Sequence, residues 1–370
     1  MADVERTLVT LPSPTMPVRA HGSFPCQGVY HRRAGTSPST ALIATHYQAD
    51  FSTHYLAELM AARGFGFLGW NTRYLGDDSH FVLEQAVIDI GVGVRWLREE
   101  AGVEQVVLLG NSGGASLMGA YQSQAVEPNL PATPGLRLPD AVNDLVPADL
   151  FISLCAHPGR PEVLTAWLDP SVIDENDPLS CDPDLDMYNA ANGPPYAPDF
   201  VERYRAAQVA RNEHISEWCL SEMERLGAAA AWDRVFSVHR AWADLRFLDL
   251  SLDPSDREVG CYGPEPRMSN YGGWGLAMAC TLRSWLSMWS LSHSQCRSAP
   301  HLRRIKQPSL VLNATADRGI YPTDAQAIYD ALGSSDKGLE SIDADHYLEN
   351  PPGAREQCAD LLAAWLAAHA

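Results

Sequence analysis

The first third of the chain alternates short apolar runs with longer amphipathic segments. Apolar runs at 40–45, 65–70 and 106–109 predict buried strands, because they are short and rich in aliphatic and aromatic residues. The amphipathic segments between them, 52–64 and 81–100, predict helices. Strands that alternate with helices over short connections are typical of a parallel α/β sheet, so we expect an α/β fold with a mostly parallel central sheet flanked by helices.

The same pattern extends to both ends of the chain. Further strands are predicted at 7–11, 18–20, 27–31, 148–154, 308–313 and 338–342, and a closing helix is predicted at 354–368. Prolines at 12, 14 and 17 mark the N-terminal strands as edge strands. Ser52 or Thr53 is the predicted N-cap of the first helix, and Gly64 is its predicted end.

Between about residues 157 and 302 this rhythm stops, and no strand is predicted there. A segment of that length is far too long for a loop in a compact domain, so it predicts an inserted subdomain. Helices are predicted within it at 199–226, 232–248 and 276–291. The chain is therefore expected to comprise a core domain, 1–156 with 303–370, and a large, mainly helical cap, 157–302.

Composition narrows the classes of function. The 370 residues are 46% hydrophobic and 20% charged, which is typical of a globular protein, and the formal net charge is −19. That charge repels phosphate backbones and anionic lipids, which argues against nucleic-acid partners and against a membrane-surface role. No apolar run approaches the ~18 residues of a membrane-spanning helix, and no secretory signal is visible at the N-terminus.

The cysteines point to a reducing environment. Eight cysteines, at 26, 155, 181, 219, 261, 280, 296 and 358, show no C-x-x-C spacing, so neither a zinc site nor a disulfide framework is indicated. We therefore expect a cytoplasmic protein, with no metal and no organic cofactor. The sequence leaves open whether the chain forms a homo-oligomer.

The strand at 106–109 runs into the pentad Gly110-Asn111-Ser112-Gly113-Gly114, and a helix-compatible run, 115–120, follows it. A strand that turns sharply into a helix with serine at the apex is the arrangement called a nucleophile elbow. The turn is so tight that residues 110 and 114 must be small. The new helix then directs its free N–H groups and the positive end of its dipole toward the serine.

A serine nucleophile needs a base that takes its proton and an acid that orients the base. Asp317 follows the strand predicted at 308–313, and His346 follows the strand predicted at 338–342. Both loops leave the carboxyl ends of parallel strands, the edge of the sheet at which the serine would lie. The chain order serine, aspartate, histidine is also the one expected for an elbow enzyme.

Each of these roles has a rival in the sequence. Asp343 and Asp345 are alternative acids, but they precede His346 by only three and one residues and would point elsewhere. Asp324 is interpreted as a helix-start charge. His46 and His157 are competing bases; His46 is expected to hold the loop after its strand, and His157 could line the pocket.

The chain at this point resembles the α/β-hydrolase superfamily. The matching residues are the pentad 110–114, the segment Ala316-Asp317 to Pro322, and Asp345-His346-Tyr347 before the last helix. The resemblance covers roughly 41–153 and 307–370, and it does not extend to the cap. It implies Ser112 as the nucleophile, His346 as the general base and then acid, and Asp317 as the orienting carboxylate.

The resemblance also implies an oxyanion hole formed by the backbone N–H of Gly113 and a second N–H from the loop 46–48. Here the sequence departs from the superfamily, because His46 is followed by Tyr47 where a glycine is usual. The second donor is open between Tyr47 and Gln48, and Tyr47 is favoured, with its ring as a candidate wall of the pocket. The residues predicted to contact substrate are His46, Gln48, Asn111, His157 and Trp274.

Aromatic residues are concentrated in the cap. They are Trp167, Trp218, Trp232, Trp242, Trp274, Trp285 and Trp289, together with Phe236, Phe247, Tyr262 and Tyr271. Many of these rings would fill the core of the cap, but a cap over an elbow also forms one side of the pocket. We therefore expect the substrate to be a small molecule, an ester or lactone with a bulky hydrophobic group.

The predicted function is a serine hydrolase that cleaves a carboxylic ester or lactone through an acyl-enzyme. One alternative is a hydrolase of a carbon–carbon bond in a ring-cleavage product, because Gly-Asn-Ser also occurs in such enzymes, where the asparagine lines the site. Amide and thioester hydrolysis use the same machinery. The non-enzymatic alternative is a ligand-binding receptor on the same fold.

Overall fold

A mostly parallel sheet of eight strands forms the centre of the computed structural model, which describes residues 3–15, 26–273 and 275–370. Its strands are β1 (Val4–Leu11), β2 (Cys26–Arg33), β3 (Thr40–Ala44), β4 (Gly66–Asn71), β5 (Gln105–Asn111), β6 (Leu150–Leu154), β9 (Ser309–Ala314) and β10 (Lys337–Ile342). Their order is β1-β2-β4-β3-β5-β6-β9-β10. β2 pairs antiparallel with both β1 and β4, and the remaining pairs are parallel.

Helices cover both faces of this sheet. They are α1 (Ala57–Ala62), α2 (Leu83–Glu99), α3 (Gly114–Val126), α9 (Pro322–Ala331) and α10 (Ala354–Ala368). Along β5, Val106 and Leu108 belong to the apolar cluster that includes α2 and α3, whereas Val107 and Leu109 belong to the cluster that includes α1 and α10. Because successive side chains of a strand point to opposite faces, a strand covered on both faces must be apolar throughout, as β5 is.

The predicted strands and helices of the core are confirmed, with small differences at their ends. The strand predicted at 18–20 lies outside the described residues. The predicted N-cap of α1 is wrong: the helix begins at Ala57, because residues 51–57 form two consecutive turns in which His54 N–H donates to Phe51 and Ala57 N–H donates to His54. Gly64 ends this segment with φ +94°, the conformation for which glycine is suited.

The segment between β6 and β9 contains most of the irregular structure. Its helices are α4 (Arg160–Trp167), α5 (Pro198–Ala228), α6 (Pro266–Asn270), α7 (Leu282–Ser284) and α8 (Ser298–Leu302), with a π-helical turn at Trp285–Trp289 and a short 3₁₀ turn at Leu245–Phe247. Strands β7 (Val235–Phe236) and β8 (Cys280–Thr281) form a separate antiparallel ribbon. The prediction that this segment contains no strand is therefore wrong, because it contains one pair of strands of two residues each.

Only one of the three helices predicted in this segment is confirmed along its length, the one that became α5. The helix predicted at 232–248 is wrong, because its backbone bonds to a neighbouring segment: Asp169 N–H donates to the carbonyl of Arg240, and Ala243 N–H donates to the carbonyl of Trp167. The helix predicted at 276–291 is reduced to α7 and the π-helical turn. The helical spacing of the aromatic residues was misleading, because it carries no information on hydrogen bonds to residues far away in the sequence.

No helix among residues 3–15, 26–273 and 275–370 combines the length and the apolar character needed to cross a membrane.

Candidate active site

Ser112 lies at the apex of the turn between β5 and α3. Its φ is +54°, a conformation that non-glycine residues rarely adopt, and its N–H donates to the carbonyl of Leu154 on the neighbouring strand β6 at 2.9 Å. Among the described residues its hydroxyl has no hydrogen-bond partner, and the side chain is partly exposed. A strained backbone thus presents an uncommitted hydroxyl at the carboxyl end of the sheet.

The glycines of the pentad are required by contacts between backbone segments. A methyl group at Gly110 would lie 2.3 Å from Cα of Ala115, and one at Gly114 would lie 2.3 Å from the carbonyl oxygen of Thr45. Neither neighbour can rotate away, since both are backbone atoms. The prediction that positions 110 and 114 must be small is therefore confirmed.

Gly114→Ala should destabilise the protein and abolish its elbow geometry, because the backbone of α3 or of the loop after β3 must move. We expect a loss of about 2 kcal/mol or more in the free energy of unfolding, the range for overpacked or strained sites. Urea denaturation measures it. Gly119→Ala is the matched control on the same helix: its nearest contact would be 3.5 Å, to Leu302, and it should be neutral or slightly stabilising. Equal stability of the two variants would contradict this account.

His346 and Asp317 lie against each other on the loops after β10 and β9. The distance from His346 Nδ1 to Asp317 Oδ2 is 2.5 Å, and the two side chains are 7% and 0% exposed. Backbone bonds between these loops, Thr315 N–H to Ile342 and Ala316 N–H to Ala344, continue the parallel pairing past the strands and bring the two side chains together. An aspartate bound to Nδ1 leaves Nε2 of the imidazole free to accept a proton.

Asp317 is held by three further donors on its other oxygen. Oδ1 accepts the N–H of Gly319 at 2.9 Å, the N–H of Ile320 at 3.1 Å and the hydroxyl of Tyr262 at 2.5 Å. Three donors on one carboxylate oxygen fix the orientation of this carboxylate.

Tyr262 contacts the pair of His346 and Asp317, although the sequence identified it only as one aromatic residue of the cap. Its hydroxyl also lies 3.1 Å from Nδ1 of His346, and its ring packs against the imidazole with centroids 4.7 Å apart. Burial, followed by the charge of Asp317, holds the pKa of this phenol well above its usual value, so it stays protonated and remains a donor. No local pattern shows that residue 262 reaches a loop 55 positions later.

Tyr262→Phe should lower kcat about 10-fold while changing KM little, because it removes one buried, charge-assisted hydrogen bond to the orienting carboxylate. Steady-state kinetics with an aryl ester measure the two constants separately. Tyr196→Phe is the matched control, since Tyr196 is another buried tyrosine of the same segment whose hydroxyl donates to a backbone carbonyl, that of Met187. If both variants lost the same activity, Tyr262 would have only a structural role.

The alternative acids have other partners. Asp343 is exposed and accepts only a long contact, 3.5 Å, from the hydroxyl of Thr315. Asp345 binds the N–H of Glu349 and the side-chain amide of Asn350. Asp324 accepts the N–H of Tyr321 at the first turn of α9, so its interpretation as a helix-start charge is confirmed.

His46 is bound by a residue that the sequence analysis missed, Arg160. Nη2 of Arg160 lies 3.3 Å from Nε2 of His46. The N–H of Ala49 lies 3.4 Å from Nδ1, so both ring nitrogens face a protein donor and neither is available as a base toward Ser112. Burial, followed by the charge of Arg160, holds the pKa of His46 well below its usual value, so the ring is neutral at pH 7.

The other residues predicted to contact substrate differ in their surroundings. His157 is buried, its Nδ1 has no hydrogen-bond partner, and burial followed by the charge of Arg160 lowers its pKa. Asn111 is also buried; its oxygen accepts from His54 and Tyr55 and its amide donates to Leu154, so its side chain supports the strand ends, and its contact with substrate stays a prediction. Gln48 is partly exposed, and Trp274 lies outside the described residues.

The predicted oxyanion loop is built around the ring of Tyr47. That ring is buried, packs on Phe81, and its hydroxyl lies 2.9 Å from Oγ of Ser116, so it belongs to the core and does not form an open pocket wall. The backbone N–H groups of Gly113, Tyr47 and Gln48 have no hydrogen-bond acceptor among the described residues. They are the donors that remain free for a ligand oxygen, and the structure leaves the choice between Tyr47 and Gln48 open.

Comparison with known proteins rests on the fold. No protein-family model matches this sequence, and no curated protein matches it. Among solved structures, the α/β-hydrolase GrgF from Penicillium sp. sh18 aligns with a TM-score of 0.50 at 9% identity, over 98% of this chain and 96% of that one. DcsB in complex with its substrate analogue aligns with a TM-score of 0.53 at 10% identity, over 97% of both chains. The chain has the α/β-hydrolase fold.

Placed in the α/β-hydrolase fold, the residues of the site occupy the loops that follow β3, β5, β6, β9 and β10. All five strands are parallel and adjacent, so their carboxyl ends meet at one edge of the sheet. Among the described residues, no group of three or more histidine, cysteine or acidic side chains is arranged to hold a metal ion.

Proposed function

We propose that this protein is a serine hydrolase that cleaves a carboxylic ester or lactone of a bulky, apolar substrate through an acyl-enzyme. The observation that carries the proposal is the buried pair of His346 and Asp317, placed at the same sheet edge as a strained serine with a free hydroxyl. The contacts around these groups do not require this arrangement for the stability of the fold.

The reaction follows from the protons that each group can hold. His346 Nδ1–H donates to Asp317, so Nε2 takes the proton of Ser112 as the hydroxyl attacks the ester carbonyl. The developing oxyanion is stabilised by the N–H of Gly113 and by that of Tyr47 or Gln48. The imidazolium then protonates the departing alcohol, and His346 activates a water molecule that releases the acid from Ser112.

The preference for an apolar substrate is supported by a cluster of aromatic rings beside His346. Trp167 and Trp242 stack with centroids 4.8 Å apart, and Tyr262 contacts both of them as well as the imidazole. Trp167 and Trp242 belong to a buried apolar cluster, with Tyr262 at its border, and small-molecule sites are typically bordered by such clusters. The carbon–carbon hydrolase alternative loses support, because the side chain of Asn111 is engaged by His54, Tyr55 and Leu154.

A fluorophosphonate probe tests the proposal directly. We expect one covalent adduct per chain, located by peptide mass spectrometry on Ser112, and no adduct after Ser112→Ala. His346→Gln should slow labelling strongly, since the base is missing. A receptor that had retained only the fold would leave Ser112 unmodified, and that result would overturn the proposal. A panel of esters and lactones of graded size, with a vinylogous 1,5-diketone as the carbon–carbon substrate, then identifies the reaction.

A further inference from the structure

We propose that Arg160 forms a carboxylate-binding subsite beside the oxyanion loop, so that the substrate is an ester or lactone with an apolar body and a carboxylate close to the scissile carbonyl. This inference rests on the proposed serine hydrolase function and adds the charge of the substrate to it.

Arg160 is placed next to the residue that follows the nucleophile. It is the first residue of α4, and a methyl group at Gly113 would lie 2.8 Å from its Nη2 and 3.0 Å from Nε2 of His46. Its guanidinium lies over the ring of Tyr47, 4.3 Å from the centroid, and 5.4 Å from that of Trp289. Two aromatic rings and an imidazole thus surround a cation that lies against the backbone of Gly113, the residue after Ser112.

This cation has no counterion in the part of the chain that the structure describes. Arg160 is 4% exposed, yet no carboxylate among the described residues lies within ion-pair distance of it, and its Nε is buried without a hydrogen-bond acceptor. Asp78 acts on it only through its longer-range field. Burying a charge costs several kcal/mol in lost hydration, and pairing with an opposite charge normally compensates this cost.

The other buried arginines show that the fold pairs such charges elsewhere. Arg240 lies 2.6 Å from Asp169, and Arg211 lies 2.7 Å from Glu175. Arg257 has no carboxylate partner, but it donates to backbone carbonyls that include those of Leu252 and Asp249. Among the described residues the guanidinium of Arg160 has neither kind of partner, and its one hydrogen bond goes to a neutral imidazole.

His157 adds a second unsatisfied group to the same side of the site. It lies three residues before Arg160, it is 5% exposed, and its Nδ1 has no hydrogen-bond partner. Arg160 lies against His46, and its charge lowers the pKa of both His46 and His157, after the larger effect of burial. A carboxylate has two oxygens, and a guanidinium with a nearby imidazole N–H can bind both.

A permanent anion fits this geometry better than the oxyanion of the reaction does. The oxyanion exists only in the transition state, and it has backbone N–H donors of its own at Gly113 and the loop 46–48. A substrate carboxylate carries its charge throughout binding, so it is the group that supplies the missing counterion in the ground state.

The experiment compares esters that differ in one charge. In one pair, both with the same aryl leaving group, the acyl chain is glutarate with a free carboxylate or its neutral methyl ester. In a second pair the carboxylate or its methyl ester is on the leaving group. We expect wild-type kcat/KM to favour the charged member of at least one pair by about 10-fold or more, the scale of one charge-assisted contact.

Arg160→Met removes the charge and keeps an apolar side chain between the rings. We expect the ratio of kcat/KM for the charged ester to that for the neutral ester to fall to about 1 or below. The reason is that the variant loses more kcat/KM on the charged ester than on its neutral partner. Arg160→Lys should retain part of the preference. Arg304→Met is the matched control, since it removes a surface charge paired with Glu127 and should leave the preference as in the wild type.

The outcomes separate the two proposals. If neither pair is hydrolysed and no fluorophosphonate adduct forms, the proposed function itself fails. If the esters are cleaved but wild type prefers the neutral member of both pairs, the carboxylate subsite is overturned and the hydrolase stands. An equal loss on charged and neutral esters in Arg160→Met would instead assign the arginine to oxyanion stabilisation or to structure, which also overturns the subsite. The wild-type comparison does not depend on how well any variant folds.

Discussion

Ser112→Ala should lower kcat for every accepted ester by about 10⁵-fold or more, the scale seen when the nucleophile of a triad is removed. The reason is chemical: no other hydroxyl occupies the apex of the turn between β5 and α3, and without an acyl-enzyme the reaction must proceed by direct attack of water. Residual catalysis by the oxyanion donors sets the floor. Steady-state kinetics on the esters that wild type cleaves measure the loss.

The control for this substitution is Ser123→Ala. Ser123 is buried on the same helix α3, and its hydroxyl accepts from Asn129 away from the site. That variant should keep wild-type activity, and both variants should melt within a few degrees of wild type. Full turnover by Ser112→Ala on all accepted esters would refute the assignment of the nucleophile.

Asp317→Asn should lower kcat about 10⁴-fold, the effect expected when the orienting carboxylate becomes an amide. The amide can offer its N–H to Nδ1, which favours the tautomer with the proton on Nε2, the nitrogen that must accept from Ser112. The N–H of Gly319, the N–H of Ile320 and the hydroxyl of Tyr262 all need an acceptor at this position, so the amide oxygen should turn toward them. Kinetics and the rate of fluorophosphonate labelling should fall together.

Asp345→Asn tests the competing assignment with a residue one position from His346. Its carboxylate binds Glu349 and Asn350 and makes no contact with the imidazole among the described residues. We expect at most a few-fold change in kcat from this variant. If Asp345→Asn lost more activity than Asp317→Asn, the acid would have been misassigned.

The elements of the core could be predicted because their signals are local. A strand buried on both faces is apolar throughout. Gly64, at φ +94°, ends α1, and this signal does not depend on tertiary contacts. The segment between β6 and β9 was harder, since residues 240–243 bond to 167–169 and not to their own helix turn. Helical spacing of aromatic residues was misleading there, because tertiary hydrogen bonds overrode it.

The predicted site shows the same division. Asp317 and His346 could be proposed from the sequence because parallel strands align their carboxyl ends, so two loops that follow such strands must meet. The contacts of Asn111 and Tyr262 could not be predicted in this way. Asn111 is next to the serine in the chain, yet its amide is engaged by His54, Tyr55 and Leu154, whereas Tyr262 is 150 residues away and touches the pair.

The sequence by itself determined the α/β architecture, the strained turn at Ser112 and the loops from which an acid and a base would come. These features depend on backbone conformation and on the periodicity of apolar residues, which each segment carries locally. Only the tertiary structure decided that Tyr262 donates to Asp317 and that Arg160 lies beside Gly113 with no carboxylate partner among the residues the structure describes. Those contacts depend on how the segment between β6 and β9 packs against the loops after β3 and β9, and the burial of a charge or a hydroxyl is a property of the assembled fold.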